Sequence, residues 1–208
     1  MKIEKLSLVK RREKRQLLTE NKVQFAGPES ELSIYDTYRA ASRVGLEAQQ
    51  LLYCGMVSGR KVMHSPHNND GELFLPHESY VVPPGEHVEI DFPDANETAP
   101  TTCLTIEISK DRIERLSERM RDLIVLDAPN HEWEYQPKII HKHHTGDTQY
   151  LLEKMVALYT RNDPDKEIML DLSVTELVIR LLREQGRDIL LSYCQQSCLL
   201  YTSDAADE

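Results

Sequence analysis

At the junction of Ile108 and Ser109 the hydrophobic period of this 208-residue chain changes from two to that of a helix. A strand turns alternate side chains to opposite faces, and a helix repeats its face every third or fourth residue, so one stretch cannot serve both. Before the junction only strand signals occur. KVQFA (22–26) and ELSIYDTY (31–38) are short β-prone runs separated by Gly27 and Pro28. QQLLYCGMV (49–57) and RKVMH (60–64) flank Ser58-Gly59, which reads as a hairpin turn. SPHNNDG (65–71) is a cluster of turn formers and reads as a loop, and GELFLP (71–76) is the next strand. Pro83-Pro84-Gly85 turns the chain into a strand with Val88, Ile90 and Phe92 on one face and Glu89 and Asp91 on the other. In TCLTIEI, Leu104, Ile106 and Ile108 oppose Cys103, Thr105 and Glu107. No helix-length segment interrupts these strands, so the order predicts an antiparallel barrel or jelly roll rather than a parallel sheet.

After the junction three helices are expected. Ser109 caps one that runs to about Leu123, with Ile113, Leu116, Met120 and Leu123 on one stripe. Residues 125–146, with Trp133 and the histidine cluster, read as irregular. A second helix covers about Asp147 to Arg161, turning Leu151, Leu152, Met155, Val156 and Tyr159 inward, and Asn162-Asp163-Pro164 stops it. Ser173-Val174-Thr175-Glu176 has the pattern of a capping box. The stripe of Val174, Leu177, Val178, Leu181, Leu182, Ile189 and Leu190 predicts a third helix from there. The fold class is therefore α+β, mainly β then α.

The composition removes several function classes. No apolar run reaches the 18 or more residues of a membrane span, and no signal peptide precedes residue 30. Leaving Cys198 to the tail considered below, Cys54, Cys103 and Cys194 are widely spaced, odd in number and without C-x-x-C, which points to a reducing cytoplasm. The net charge is −10, yet seven Lys and Arg residues crowd the first 15 positions. The acidic body is a poor holder of a polyanion, and the basic start reads first as a solvated, frayed helix.

Eight histidines invite a metal hypothesis. Imidazoles two apart on a strand share a face, but His64 and His67 are three apart across a proline. His87 follows a turn, and His141, His143 and His144 lack an acidic or thiol partner nearby in sequence, so they read as a solvated or hydrogen-bonded cluster. No metal site, cofactor or catalytic constellation is assigned. No G-x-S-x-G, no cysteine beside a base and no phosphate-binding glycine loop occurs. A barrel interior can instead hold one small ligand, and Tyr53, His64, His77, Tyr80 and His87 are the strand-borne residues best suited to line it.

The runs LLYCGMVSGRKVMH (51–64), FLPHESYVVPPGEHVEIDFP (74–93), PTTCLTIEIS (100–109) and LSVTELVIRLLREQGRDILLSY (172–193) resemble the N-terminal half of AraC-type transcription regulators. The resemblance covers about residues 20–195. It implies a cupin-like β-barrel that senses a small effector, followed by a helical region that makes a homodimer. DNA would be bound only by helix-turn-helix motifs further along, which are missing here. The resemblance transfers no ligand residues. On this reading 1–20 is a basic segment, 21–108 the barrel and 109–196 the helical dimerisation and linker region, with Leu177, Val178, Leu181 and Leu182 as the dimer stripe. The alternatives are that this stripe only covers the barrel, that the chain is a small metal-dependent cupin enzyme, or that it is a stand-alone sensor. The segment 197–208 is set apart: CLLYTSDAADE (198–208) resembles translated transposase-adapter DNA from sequencing libraries, so the natural C-terminus is expected to lie elsewhere.

Overall fold

The computed structural model describes residues 17–66, 68–123 and 138–184. The basic start up to residue 16, His67, Trp133, Ile189, Leu190 and the adapter-like tail lie outside the described residues. Two antiparallel sheets are stacked. The larger runs in the order β1 (Asn21–Gly27), β2 (Ser30–Thr37), β9 (Thr101–Ile108), β4 (Leu51–Ser58), β7 (Glu78–Val82), β10 (Ile140–His143). The smaller runs β3 (Ala41–Glu47), β8 (His87–Phe92), β5 (Lys61–Ser65), β6 (Asn68–Phe74). Helices α1 (Lys110–Leu123), α2 (Gly146–Thr160) and α3 (166–184) follow.

The strands in the middle of the larger sheet are buried at nearly every position because both of their faces are covered. From Leu51 to Met56 every residue of β4 is buried. Leu51 and Tyr53, with Leu32, Ile34, Val81, Leu104, Ile106 and Ile108, meet the helices. Leu52, Cys54 and Met56, with Tyr80, Val82 and Cys103, meet Met63, Phe74, Val88, Ile90 and Phe92 of the sandwich interior. The result is three layers: helices, a six-stranded sheet and a four-stranded sheet. The expected split of Leu104, Ile106 and Ile108 from Cys103 is the split between the two cores.

The structure corrects four readings. Ser58-Gly59 is not a hairpin turn, because β4 and β5 belong to different sheets. It is a corner, with Gly59 at φ +78 and so close to Thr101 that a Cβ would meet its backbone at 2.9 Å. Residues 68–71 are not loop but the first half of β6, where Ser65↔Asn68 pairing closes the β5–β6 hairpin. Within 125–146, Ile140–His143 is a strand along the edge of β7, in the register Ile140↔Val81 to His143↔Glu78. The third helix starts at residue 166, seven residues before the capping-box pattern. Ser173 is buried inside it, and its hydroxyl donates to the Met169 carbonyl at 2.7 Å. Glu176 is taken by Arg180 at 2.7 Å. The other helix starts stand as expected: the Ser109 hydroxyl accepts from the Arg112 amide at 3.3 Å, and that of Thr145 from the Thr148 amide at 3.2 Å.

Candidate functional site

On β7 the alternation turns Ser79 and Val81 toward the helices and Glu78, Tyr80 and Val82 toward the sandwich. Helix α3 lies across the first of these faces, held by Leu177, Val178 and Leu182, which are at most 3 % exposed. It does not close over the β10 edge, and a narrow recess remains. Its floor is the Tyr53 hydroxyl hydrogen-bonded to Ser79. Its walls are Val81, Ile140, Leu177 and Leu181, and its rim is Lys142, His143, His144, Thr148, Arg180 and Glu184. An adjoining hollow lined by Leu51, Ile113, Val178 and Leu182 is wholly apolar.

Two groups in the recess are polar and poorly solvated. Burial pushes the Tyr53 hydroxyl far above its ordinary pKa, with the Ser79 bond pulling only partly back, so it remains a neutral donor or acceptor. Burial moves His144 the other way, below the ordinary imidazole value, against the opposing effect of its bond to Gln149. His144 Nδ1 lies 3.1 Å from Gln149 Oε1. Its Nε2 is buried and meets no hydrogen-bond partner among the described residues. An orphaned buried nitrogen costs about 1–3 kcal/mol, and a ligand that reaches it recovers part of that.

The five residues expected to line a ligand pocket are spread over separate layers. Tyr53 is in the recess floor. Tyr80 points the other way, into the sandwich core beside Phe74. His64 lies on β5 beneath Gly71 and reaches Asp91 Oδ2 at 3.0 Å. His87 is an exposed residue of β8, beside Gly45. His77 sits in the turn between β6 and β7 at φ 71, within reach of Gln149. The sandwich interior holds the apolar cluster around Met56, Phe74, Tyr80, Ile90 and Phe92, and the recess is on the far face of the same sheet. Of the expected dimer stripe, Leu177, Val178 and Leu182 are buried within this chain, and Leu181 is half-buried at the recess. Among the described residues, the large apolar side chains that α3 shows to solvent are Ile168, 68 % exposed, and Leu172, 56 % exposed.

Sequence reasoning found no acidic partner for the histidine cluster because the partners come from other strands. His141 stands between Glu72 Oε2, 3.5 Å from Nδ1, and Glu78 Oε2, 3.0 Å from Nε2. His143 Nδ1 is 3.3 Å from Glu78 Oε1. The cross-strand register Glu78↔His143 would have paired two of these groups, had β10 been recognised. Among the described residues no three His, Cys, Asp or Glu side chains converge on a point suited to a metal ion.

Residues 28–189 match the family described as the AraC-type transcriptional regulator N-terminus. The chain belongs to that family. No curated protein matches the sequence. Among solved structures the chain is similar to apo ToxT from Vibrio cholerae strain SCE256, with a TM-score of 0.56 at 8% identity over 77% of this chain and 58% of that one. A second ToxT crystal structure gives 0.51 at 9% identity, over 76% and 58% of the two chains. A cupin superfamily protein from Desulfitobacterium hafniense has a TM-score of 0.37 at 12% identity over 47% of this chain and 82% of that one. The chain spans less than two thirds of the length of the ToxT chain.

Proposed function

We propose that this chain is the effector-sensing and dimerisation portion of an AraC-type, DNA-binding transcription regulator that works in the cytoplasm. The observation that carries the reading is the match of residues 28–189 to the N-terminal part of such regulators. The recess beneath α3 adds a place for the effector: apolar walls over a floor made by the Tyr53–Ser79 pair, with that pair and His144 Nε2 as the groups to be met. That lining suits a small molecule with an apolar body and one hydrogen-bonding end. Bound there, it presses on Leu181 and Arg180 of α3, and so favours one position of the helix over another. An effector shifts the equilibrium by the difference between its affinities for the two positions. The second copy meets the outward face of α3 at Ile168 and Leu172. DNA contact belongs to residues beyond this chain, since a net charge of −10 opposes binding to phosphate.

The test is to read the parent gene past the codon for Gln196. About 100 further residues carrying two helix-turn-helix patterns are expected. A stop codon within a few residues would overturn the reading in favour of a stand-alone protein.

A further inference from the structure

The side chain of Lys61 enters the sandwich interior among the apolar residues of β5 and β8, and it is 5 % exposed. Its ammonium donates to Cys103 Sγ at 2.9 Å and stands 5.0 Å from the centre of the Phe92 ring. Cys54 lies on the same face of the neighbouring strand, two residues out of register with Cys103, since Met56 pairs with Cys103 and Cys54 with Thr105. An amine and two thiols therefore meet in one dry corner, and neither sensing in the recess nor dimerisation uses them. Burial pushes the Cys103 thiol up and Lys61 pulls it back, while burial works against the Lys61 charge and Cys103 and Glu20 restore it.

The corner is covered by the chain that leads into β1. Glu20, at φ 50, sits close enough for its carboxyl to respond to the Lys61 charge. This lead is held by the Tyr38 amide on the Leu18 carbonyl at 2.7 Å and the Glu20 amide on Thr37 Oγ1 at 3.0 Å. Leu17 and Leu18 are exposed. Opening these few bonds locally is far cheaper than unfolding the chain, so a molecule as small as hydrogen peroxide has a route to Cys103.

We infer that Lys61 and Cys103 form an oxidation site at which a peroxide joins the two side chains covalently. Burial on balance keeps Cys103 a thiol at rest, so in the first step it gives its proton to solvent with the Lys61 ammonium holding the charge on sulfur, the thiolate attacks one oxygen of hydrogen peroxide, and the O–O bond breaks. The departing hydroxide takes a proton from the Lys61 ammonium and leaves as water. Sulfur is oxidised to sulfenic acid, peroxide is reduced, and Lys61 is left as a neutral amine in contact with the new electrophile. In the second step the amine nitrogen attacks sulfur, the S–O bond breaks, and hydroxide leaves as water with a proton from that nitrogen. The product is a sulfenamide between Lys61 and Cys103, which thiols reduce. Lys61 wins over Cys54 as the trapping group because it already touches Cys103.

The experiment is to treat the full chain with hydrogen peroxide, digest it without reduction and examine the peptides by mass spectrometry. The expected product is a peptide joining Lys61 to Cys103, lighter by two hydrogens than its parts. It should be undone by dithiothreitol, persist in Cys54→Ser and disappear when oxidation is done in urea. Recovery of Cys103 as a free thiol, as a sulfinic or sulfonic acid, or in a disulfide with Cys54 would overturn the inference. Apart from the Cys54→Ser control these outcomes are read on the unaltered chain, and none depends on what the parent gene encodes.

Discussion

Arg112 shows how much one side chain can hold. It is 4 % exposed, and its guanidinium donates to the Pro28 carbonyl at 3.2 Å, the Asp171 carbonyl at 2.6 Å and the Thr175 hydroxyl at 2.8 Å. The β1–β2 turn, α1 and α3 are thereby tied at one point. Replacing it removes three hydrogen bonds from a charged donor and its ion pair with Asp171, although the Pro28 carbonyl keeps the Ser30 hydroxyl and the Asp171 carbonyl keeps the Thr175 hydroxyl, so Arg112→Ala is expected to cost about 2–4 kcal/mol, read as a lower urea midpoint with an unchanged slope. A cost below about 0.5 kcal/mol, the scale of an ordinary surface change, would refute the clamp. His144 gives a pH dependence of definite sign. Burial holds its pKa below the ordinary 6.5, so the unfolded chain takes up this proton more readily than the folded one. Its contribution is present in full above the unfolded value and drains as pH falls through that value toward the folded one. The melting temperature is expected to drop less between about pH 6.5 and 5 in His144→Gln than in the unaltered chain, and equal slopes would remove His144 as a cause. None of these residue pairings was legible in the sequence. Lys61 and Cys103, Arg112 and Asp171, and His141 and Glu78 are each separated by more than forty positions, and no local pattern announces a contact made by sheet registry.

Legibility at the level of elements followed exposure. Strand β8, with one face in the core and one in solvent, alternates cleanly and was read residue by residue. Strand β3 was missed: it is an edge strand with most side chains outward, Gly45 in its middle and a bulge between Ala41 and Val44, so it has almost no buried face to pattern. The start of α3 was misplaced because Ser, Thr and Glu at capping-box spacing can equally turn back onto their own helix, as Ser173 and Thr175 do. Asp163-Pro164, read as a stop, also opens the next helix: the Asp163 carbonyl accepts from the Lys166 amide at 3.1 Å. The correct start alters which face of α3 is free for a second copy. Leu182 is 3 % exposed and Leu172 is 56 % exposed. Leu182→Asp is therefore expected to unfold the chain, whereas Leu172→Asp should leave thermal melting nearly unchanged and shift the mass in solution from dimer to monomer. Sedimentation of the two variants checks both, and an undiminished dimer in Leu172→Asp would remove this face from the interface.

At the scale of the whole molecule, the boundary that is sharpest in the sequence does not divide the core. The period changes at Ser109, yet Leu32, Ile34, Leu51, Tyr53, Leu104, Ile106 and Ile108 on the strand side share one apolar cluster with Ile113, Leu152, Met155, Leu177 and Val178 on the helix side. A sheet whose second face waits for helices encoded later cannot be finished until they arrive. A fragment ending near Ile108 would present those side chains to water, far more than the few hundred Å² of contiguous apolar surface that soluble monomers tolerate. The strands and helices are thus expected to unfold together. Far-ultraviolet circular dichroism, which follows α1 to α3, and fluorescence of tyrosines buried on both sheet faces should give one coincident urea transition. A fragment of residues 17–109 should be aggregated or lack fixed tertiary structure. Two separated transitions, or a soluble folded fragment, would show that the β region is a domain in its own right. Effector and helix would then communicate across an interface between domains. If the transitions coincide, a ligand beneath α3 acts on packing inside a single core, where a shift of the helix must be matched by the sheet that carries it.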